Sequence, residues 1–284
     1  MKVLVLFDID RTILRTKFYP STQRRAFSVA MKEVYGINTD VDLIEHRGMT
    51  DQQILIEILK LHGFSNDEIQ KGLARCMQRM EEFFRKHLRA DELEVLEGVE
   101  ELLKRLQEEG VFLGLITGNL KVIAKKKLTE LGLWDYFQVG AFGSDSVDRA
   151  KLVRLAVRRT KKLGFKPERI FTIGDTPRDV DAAKKSGIKN IKTIAVATGS
   201  SSVDELKEAG LVGLEAYYDG YSAEEVSTLV RLAEKHHLIT TGGSDYHGIG
   251  DINETMMGGV DVPLTSAEKL IALAEQRALK WAKA

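Results

Sequence analysis

One cysteine, Cys76, stands in a chain of 284 residues. A single thiol excludes an internal disulfide framework and suits a reducing cytosol. Its neighbours form an apolar stripe, which makes it a small core residue rather than a nucleophile. An excess of either charge is lacking too, since 42 Lys and Arg balance 42 Asp and Glu. Without a net positive field, non-specific binding to nucleic acid is disfavoured. No apolar run is long enough to cross a bilayer. The start, Met1-Lys2 and then apolar residues, resembles a signal peptide only until Asp8 interrupts it, and no small-residue cleavage site comes after it. The expectation is a soluble cytoplasmic protein. Internal repeats and low-complexity tracts are also missing.

What is present is a chain with 43% hydrophobic and 30% charged residues. That is enough for a real core and argues against disorder. The length allows one large domain or two to three small ones. Val3 to Phe7 is a short unbroken apolar run, which reads as a strand buried on both faces of a parallel sheet. Asp8 and Asp10 come where that strand ends. From about Leu14 to Glu94 the pattern is helical, with Ser21, Thr50 and Ser65 as caps and no convincing strand. After it, strands near 111–117, 137–142, 169–174 and 191–196 alternate with helices. This predicts an α/β, Rossmann-like, mostly parallel sheet flanked by helices, made of residues 1–13 and 95–210. An all-helical cap, 14–94, is inserted into it, and 211–284 forms a C-terminal α/β extension. Val212–Tyr217 could supply one more strand to the core sheet.

Three strand ends carry the chemistry. The first offers Asp8 and Asp10. The second reads Thr117-Gly118-Asn119. The third reads Gly174-Asp175-Thr176-Pro177-Arg178-Asp179. Ligands of open α/β sheets bind beyond the carboxyl ends of the strands. A helix starting there offers free N–H groups suited to phosphate. Thr117 adds a hydroxyl, and Gly118 lets backbone approach. Several carboxylates around such a cradle would repel a phosphate unless a cation intervenes, and Mg²⁺ takes carboxylates together with phosphate oxygens. Arg149 or Lys151 could add positive charge.

These four motifs, in this order, resemble those of the haloacid dehalogenase-like hydrolases over about residues 1–210. Arg47-Gly48-Met49-Thr50-Asp51 is similar to a cap stretch of phosphoglycolate-phosphatase-like members. The resemblance implies that Asp8 attacks phosphorus and that Asp10 serves as acid and then base. Thr117 and the following backbone would hold the phosphoryl, with Thr12, Gly118 and Asn119 near the substrate. Arg149, or Lys151 in its place, would neutralise charge. Asp8, the Asp10 carbonyl and Asp175 would hold Mg²⁺, supported by Asp179. In the cap, Arg47, Thr50 and Asp51 are candidates for substrate contact, or form a helix cap with its neighbours. Arg11 departs from the family, which prefers Gly there. An acid at position 10 points away from dehalogenases and towards a phosphatase or a phosphomutase acting on a small phosphorylated metabolite.

The final segment resembles the end of a PHP-type metal phosphoesterase, with Asp245 and His247 as its Asp-x-His pair. None of the six histidines forms the His-x-His that family also needs. The expectation is therefore an incomplete, non-catalytic segment; a second metal at Asp245 and His247 is the minority reading, and oligomerisation through the segment is the alternative if it buries poorly. A non-enzymatic interaction protein built on that segment is the competing reading.

Overall fold

The computed structural model describes residues 2–196, 202–218, 221–243 and 259–281. They fall into two compact units, Met1–Ala209 and Gly210–Ala284. The first unit opens with β1 (Val3–Phe7) and β2 (Leu14–Thr16), then three helices, α1 (Thr22–Tyr35), α2 (Asp51–Leu61) and α3 (Asn66–His87). It continues with β3 (Leu93–Val95), α4 (Val99–Glu108), β4 (Phe112–Ile116), α5 (Lys121–Glu130) and β5 (Val139–Ala141). It closes with α6 (Arg149–Lys162), β6 (Arg169–Gly174), α7 (Pro177–Lys185), β7 (Ile191–Ala195) and α8 (Val203–Ala209).

Five of these strands form one parallel sheet in the order β5-β4-β1-β6-β7. β1 lies at its centre, which is why its apolar run does not alternate. A strand's side chains point alternately to the two faces. Val5 and Phe7 pack with Leu103 of α4 and Leu128 of α5. Leu4 and Leu6 pack with Val153 and Ala156 of α6. Each face is therefore covered by its own helical layer, and both need apolar partners from the same strand.

The helices α1 to α3 build a separate small core. On α3 the buried positions Ile69, Leu73, Cys76, Met80 and Phe84 recur every three or four residues, the period of one helical face. They meet Phe27 and Met31 of α1 and Leu55 and Ile58 of α2. Cys76 lies inside this cluster, and burial pushes its thiol up to about 12. Leu120 and Ile123, at the start of α5, join the same cluster, so the cap rests on the core helix that comes after β4.

Two strands were not expected in the insertion. β2 and β3 pair antiparallel, with Leu14 opposite Val95 and Thr16 opposite Leu93. They are the chain's way out of the core and its way back. Three residues each are too few for a visible period, and their pairing joins segments almost eighty residues apart. Glu92 strengthens this neck by accepting the Thr22 hydroxyl at 2.6 Å and the Thr22 N–H at the start of α1.

The second unit contains β8 (Gly213–Tyr218), α9 (Ala223–Lys235), β9 (Ile239–Gly243) and α10 (Leu264–Trp281). The expected extra strand of the core sheet is not one. β8 pairs in parallel with β9, in a two-stranded sheet of its own. The β9 edge supplies its hydrogen bonds, and of its side chains only that of Ala216 is fully buried. Asp245 and His247 lie outside the described residues. Among the described residues, no helix is long and apolar enough to cross a membrane.

Candidate active site

The carboxyl ends of β1, β4 and β6 open into a cavity of about 420 Å³ beneath the cap. Asp8 is the residue just past β1, and its N–H still donates to Ile173 O of β6 at 2.8 Å. Its carboxylate is buried with those of Asp175 and Asp179, and one oxygen from each lies within 4.8 Å of the others. Burial pushes Asp8 up to about 7, and the nearby carboxylates add to the rise while Arg149 opposes it. Burial also raises Asp175, to about 6, with Asp179 adding to it. Buried like charges of this kind ask for compensation.

Arg149 supplies part of it. It is the first residue of α6 and ion-pairs with Asp179 and, at 3.6 Å, with Asp8. Lys151 is exposed and outside the cavity lining; its N–H belongs to the Asp148 cap of the same helix. Asp179 has a second attachment. One of its oxygens accepts the Thr176 N–H at 3.1 Å and hydroxyl at 2.6 Å, a capping box at the start of α7. Gly174 makes that approach feasible, since a Cβ there would lie 2.4 Å from the Asp179 carboxyl carbon. Three acidic oxygen donors suit a hard divalent cation better than a softer metal, so the donor set fits Mg²⁺.

Thr117 is fully buried just past β4 and lines the cavity. Its hydroxyl accepts from the Asn119 side chain at 2.8 Å. Asn119 also donates to Asp10 at 2.6 Å. Thr12 is buried too, but it does not line the cavity, and among the described residues its hydroxyl finds no hydrogen-bond partner.

The Arg47–Asp51 stretch lies across the turns after β4 and β6. Thr50 is buried and caps α2 by accepting the Gln53 N–H at 3.2 Å. Asp51 joins cap to core in both directions. Its N–H donates to Gly118 O at 2.8 Å, and its carboxylate accepts the Leu120 N–H at 2.8 Å. That N–H opens α5, whose N-cap side chain forms no capping bond. Burial pushes Asp51 up to about 7. Arg47 lines the cavity and pairs with Glu45 at 2.8 Å, while its carbonyl accepts from Arg178 at 2.9 Å.

Two residues of the site carry no motif in the sequence. Lys127 of α5 is buried, and its ammonium group meets Asp10 at 2.7 Å. Gln23 of α1 bonds Lys127, Asp51 and Asn119. The one available signal is a charge inside an apolar stripe, because Lys127 shares its helix face with Ile123, Ala124 and Leu128.

Known proteins resemble this chain in sequence and in fold. The sequence of "Probable phosphatase IndB" of Dickeya dadantii is 30% identical over 213 residues, covering 74% of this chain and 87% of that one. A phosphoglycolate phosphatase of Aquifex aeolicus is 23% identical and covers 82% and 97%. Among solved structures, a predicted phosphatase from Clostridium acetobutylicum shares the fold at a TM-score of 0.55, with 23% identity over 74% of this chain and 91% of the other. The haloacid dehalogenase-like hydrolase family matches residues 5–196, which contain both the parallel sheet and its inserted cap. The chain belongs to the haloacid dehalogenase-like hydrolases.

Proposed function

We propose that the protein is a Mg²⁺-dependent phosphatase that hydrolyses a small phosphomonoester through an aspartyl-phosphate on Asp8. The observation that carries this reading is the buried Asp8, flanked by Asp175, Asp179 and Arg149, at the floor of a cavity that also receives Asp10 and Thr117. The names of the relatives, a phosphoglycolate phosphatase and, from Thermotoga maritima, a phosphorylated carbohydrates phosphatase, point to the same substrate class.

Asp8, Asp175 and the Asp10 carbonyl would hold Mg²⁺, with Asp179 behind them. The ion would supply positive charge to the phosphoryl oxygens. Thr117 and the N–H groups after it bind the phosphoryl group, and Arg149 shares its charge. An Asp8 oxygen attacks phosphorus while Asp10 gives a proton to the departing ester oxygen. Asp10 then takes a proton from water, whose oxygen attacks phosphorus and frees the Asp8 carboxylate and inorganic phosphate. The cap excludes bulk water during the first transfer. Phosphate release from a panel of phosphomonoesters, with Mg²⁺ or with EDTA, tests this. Turnover is expected with Mg²⁺, absent with EDTA, and absent in a folded Asp8→Asn variant. Undiminished turnover by that variant would falsify the nucleophile assignment.

A further inference from the structure

Lys125, Lys126 and Lys127 stand side by side in the sequence of α5, yet only the third is buried. A buried ammonium group is costly unless it is paired and hydrogen-bonded. Lys127 meets that demand in full. Its three donors reach partners on three separate parts of the fold. It bonds both Asp10 oxygens, at 2.7 and 2.9 Å, Gln23 of the cap at 2.6 Å, and Asn119 after β4 at 3.0 Å. Gln23 in turn donates to Asp51 and to Asn119, both at 2.9 Å. The Asp10 carboxylate is thus oriented by one core lysine, and that lysine is also held by a cap helix.

We propose that Lys127 is a positioning residue for Asp10 and that Gln23 makes its hold depend on the docked cap. This assignment rests on the phosphatase reading above, in which Asp10 protonates the leaving oxygen. Asp10 then faces that oxygen best when α1 is seated, so proton delivery is tied to cap closure. Neither Lys127 nor Gln23 needs to touch the phosphoryl group.

Leaving groups of different quality read this out. A p-nitrophenolate departs without a proton, whereas the alkoxide of glycerol phosphate needs one. In Lys127→Met, kcat/KM for glycerol phosphate should fall about a hundredfold, within the range of general-acid effects. The p-nitrophenyl phosphate kcat/KM should change by no more than about threefold, because that quantity stops at the first transfer, before Asp10 acts on water. Lys127→Arg should restore part of the loss, and Gln23→Leu should lower the ratio of the two rates in the same direction. Amide exchange gives a second readout that needs no turnover. Gln23→Leu should speed exchange of the Asp51 and Leu120 N–H groups, which bond across cap and core. Equal losses for both esters, or an unchanged ratio together with unchanged exchange in Gln23→Leu, would overturn the proposal. If Lys127→Met does not fold, the Lys127→Arg and Gln23→Leu ratios decide in the same way. A wild-type protein that hydrolyses neither ester would overturn the phosphatase reading itself, and the acid role of Asp10 with it; the exchange result stands apart from that.

Discussion

Arg11 occupies a backbone position that suits glycine. Its φ is 58°, the left-handed region in which a Cβ crowds the following carbonyl. The turn is held there because the Arg11 N–H donates to Leu14 O at 2.6 Å, bringing Asp10 beside Leu14. Arg11→Gly should therefore raise stability by up to about 1 kcal/mol, the left-handed penalty less the entropy of glycine. Arg11→Ala should bring no such gain. Urea unfolding of the two variants beside wild type checks the contrast. Asp51 makes a second prediction at this scale. Burial raises its folded pKa to about 7, above the ordinary 3.8. Its contribution to stability is then full below about pH 4 and is lost as pH rises through about 7. Asp51→Asn should gain on wild type by more than about 1 kcal/mol between pH 4.5 and 8, at about 1.4 kcal/mol per pKa unit. Urea unfolding at the two pH values measures it; an equal difference at both would remove burial of Asp51 as the cause.

Between elements, the Arg47–Asp51 stretch comes very near the turn after β4. A Cβ on Gly118 would sit 2.4 Å from Met49 O, so cap backbone would have to move. Gly118→Ala should lower stability by about 1–3 kcal/mol, the usual cost of overpacking. It should also lower kcat/KM for phosphomonoesters, because the cap then docks less closely. Thermal unfolding and steady-state kinetics check both. Elements are largely legible in the sequence where they are long. α3 announces itself by its period and by the Ser65–Glu68 box, formed by hydrogen bonds in both directions. β2 and β3 are not legible. Their stability comes from pairing with each other across the insertion, and no window of sequence contains that partnership.

The whole molecule divides after Ala209. Every residue placed around the cavity belongs to the first unit, which also keeps α8 and its Arg47–Glu205 contact at 3.6 Å. A chain ending at 209 should fold and keep phosphatase turnover within about twofold, as expected when no contact to the reacting groups is lost. A large loss would assign the second unit a part in the site. The sequence by itself determined the parallel sheet and which strand ends carry acids, because both are local. Five unbroken apolar residues demand burial on two faces, and the turns at the carboxyl ends of parallel strands all emerge at one edge of the sheet. It also placed a basic residue near position 150. Tertiary structure alone decided that Arg149 meets the carboxylates while Lys151 faces solvent, since the two differ only in helical phase against the sheet. It alone brought Lys127 to Asp10 across 117 positions of chain, and Gln23 to Lys127 across 104. Those contacts depend on how two cores, each buried for its own apolar reasons, come to rest on the same turn of α5.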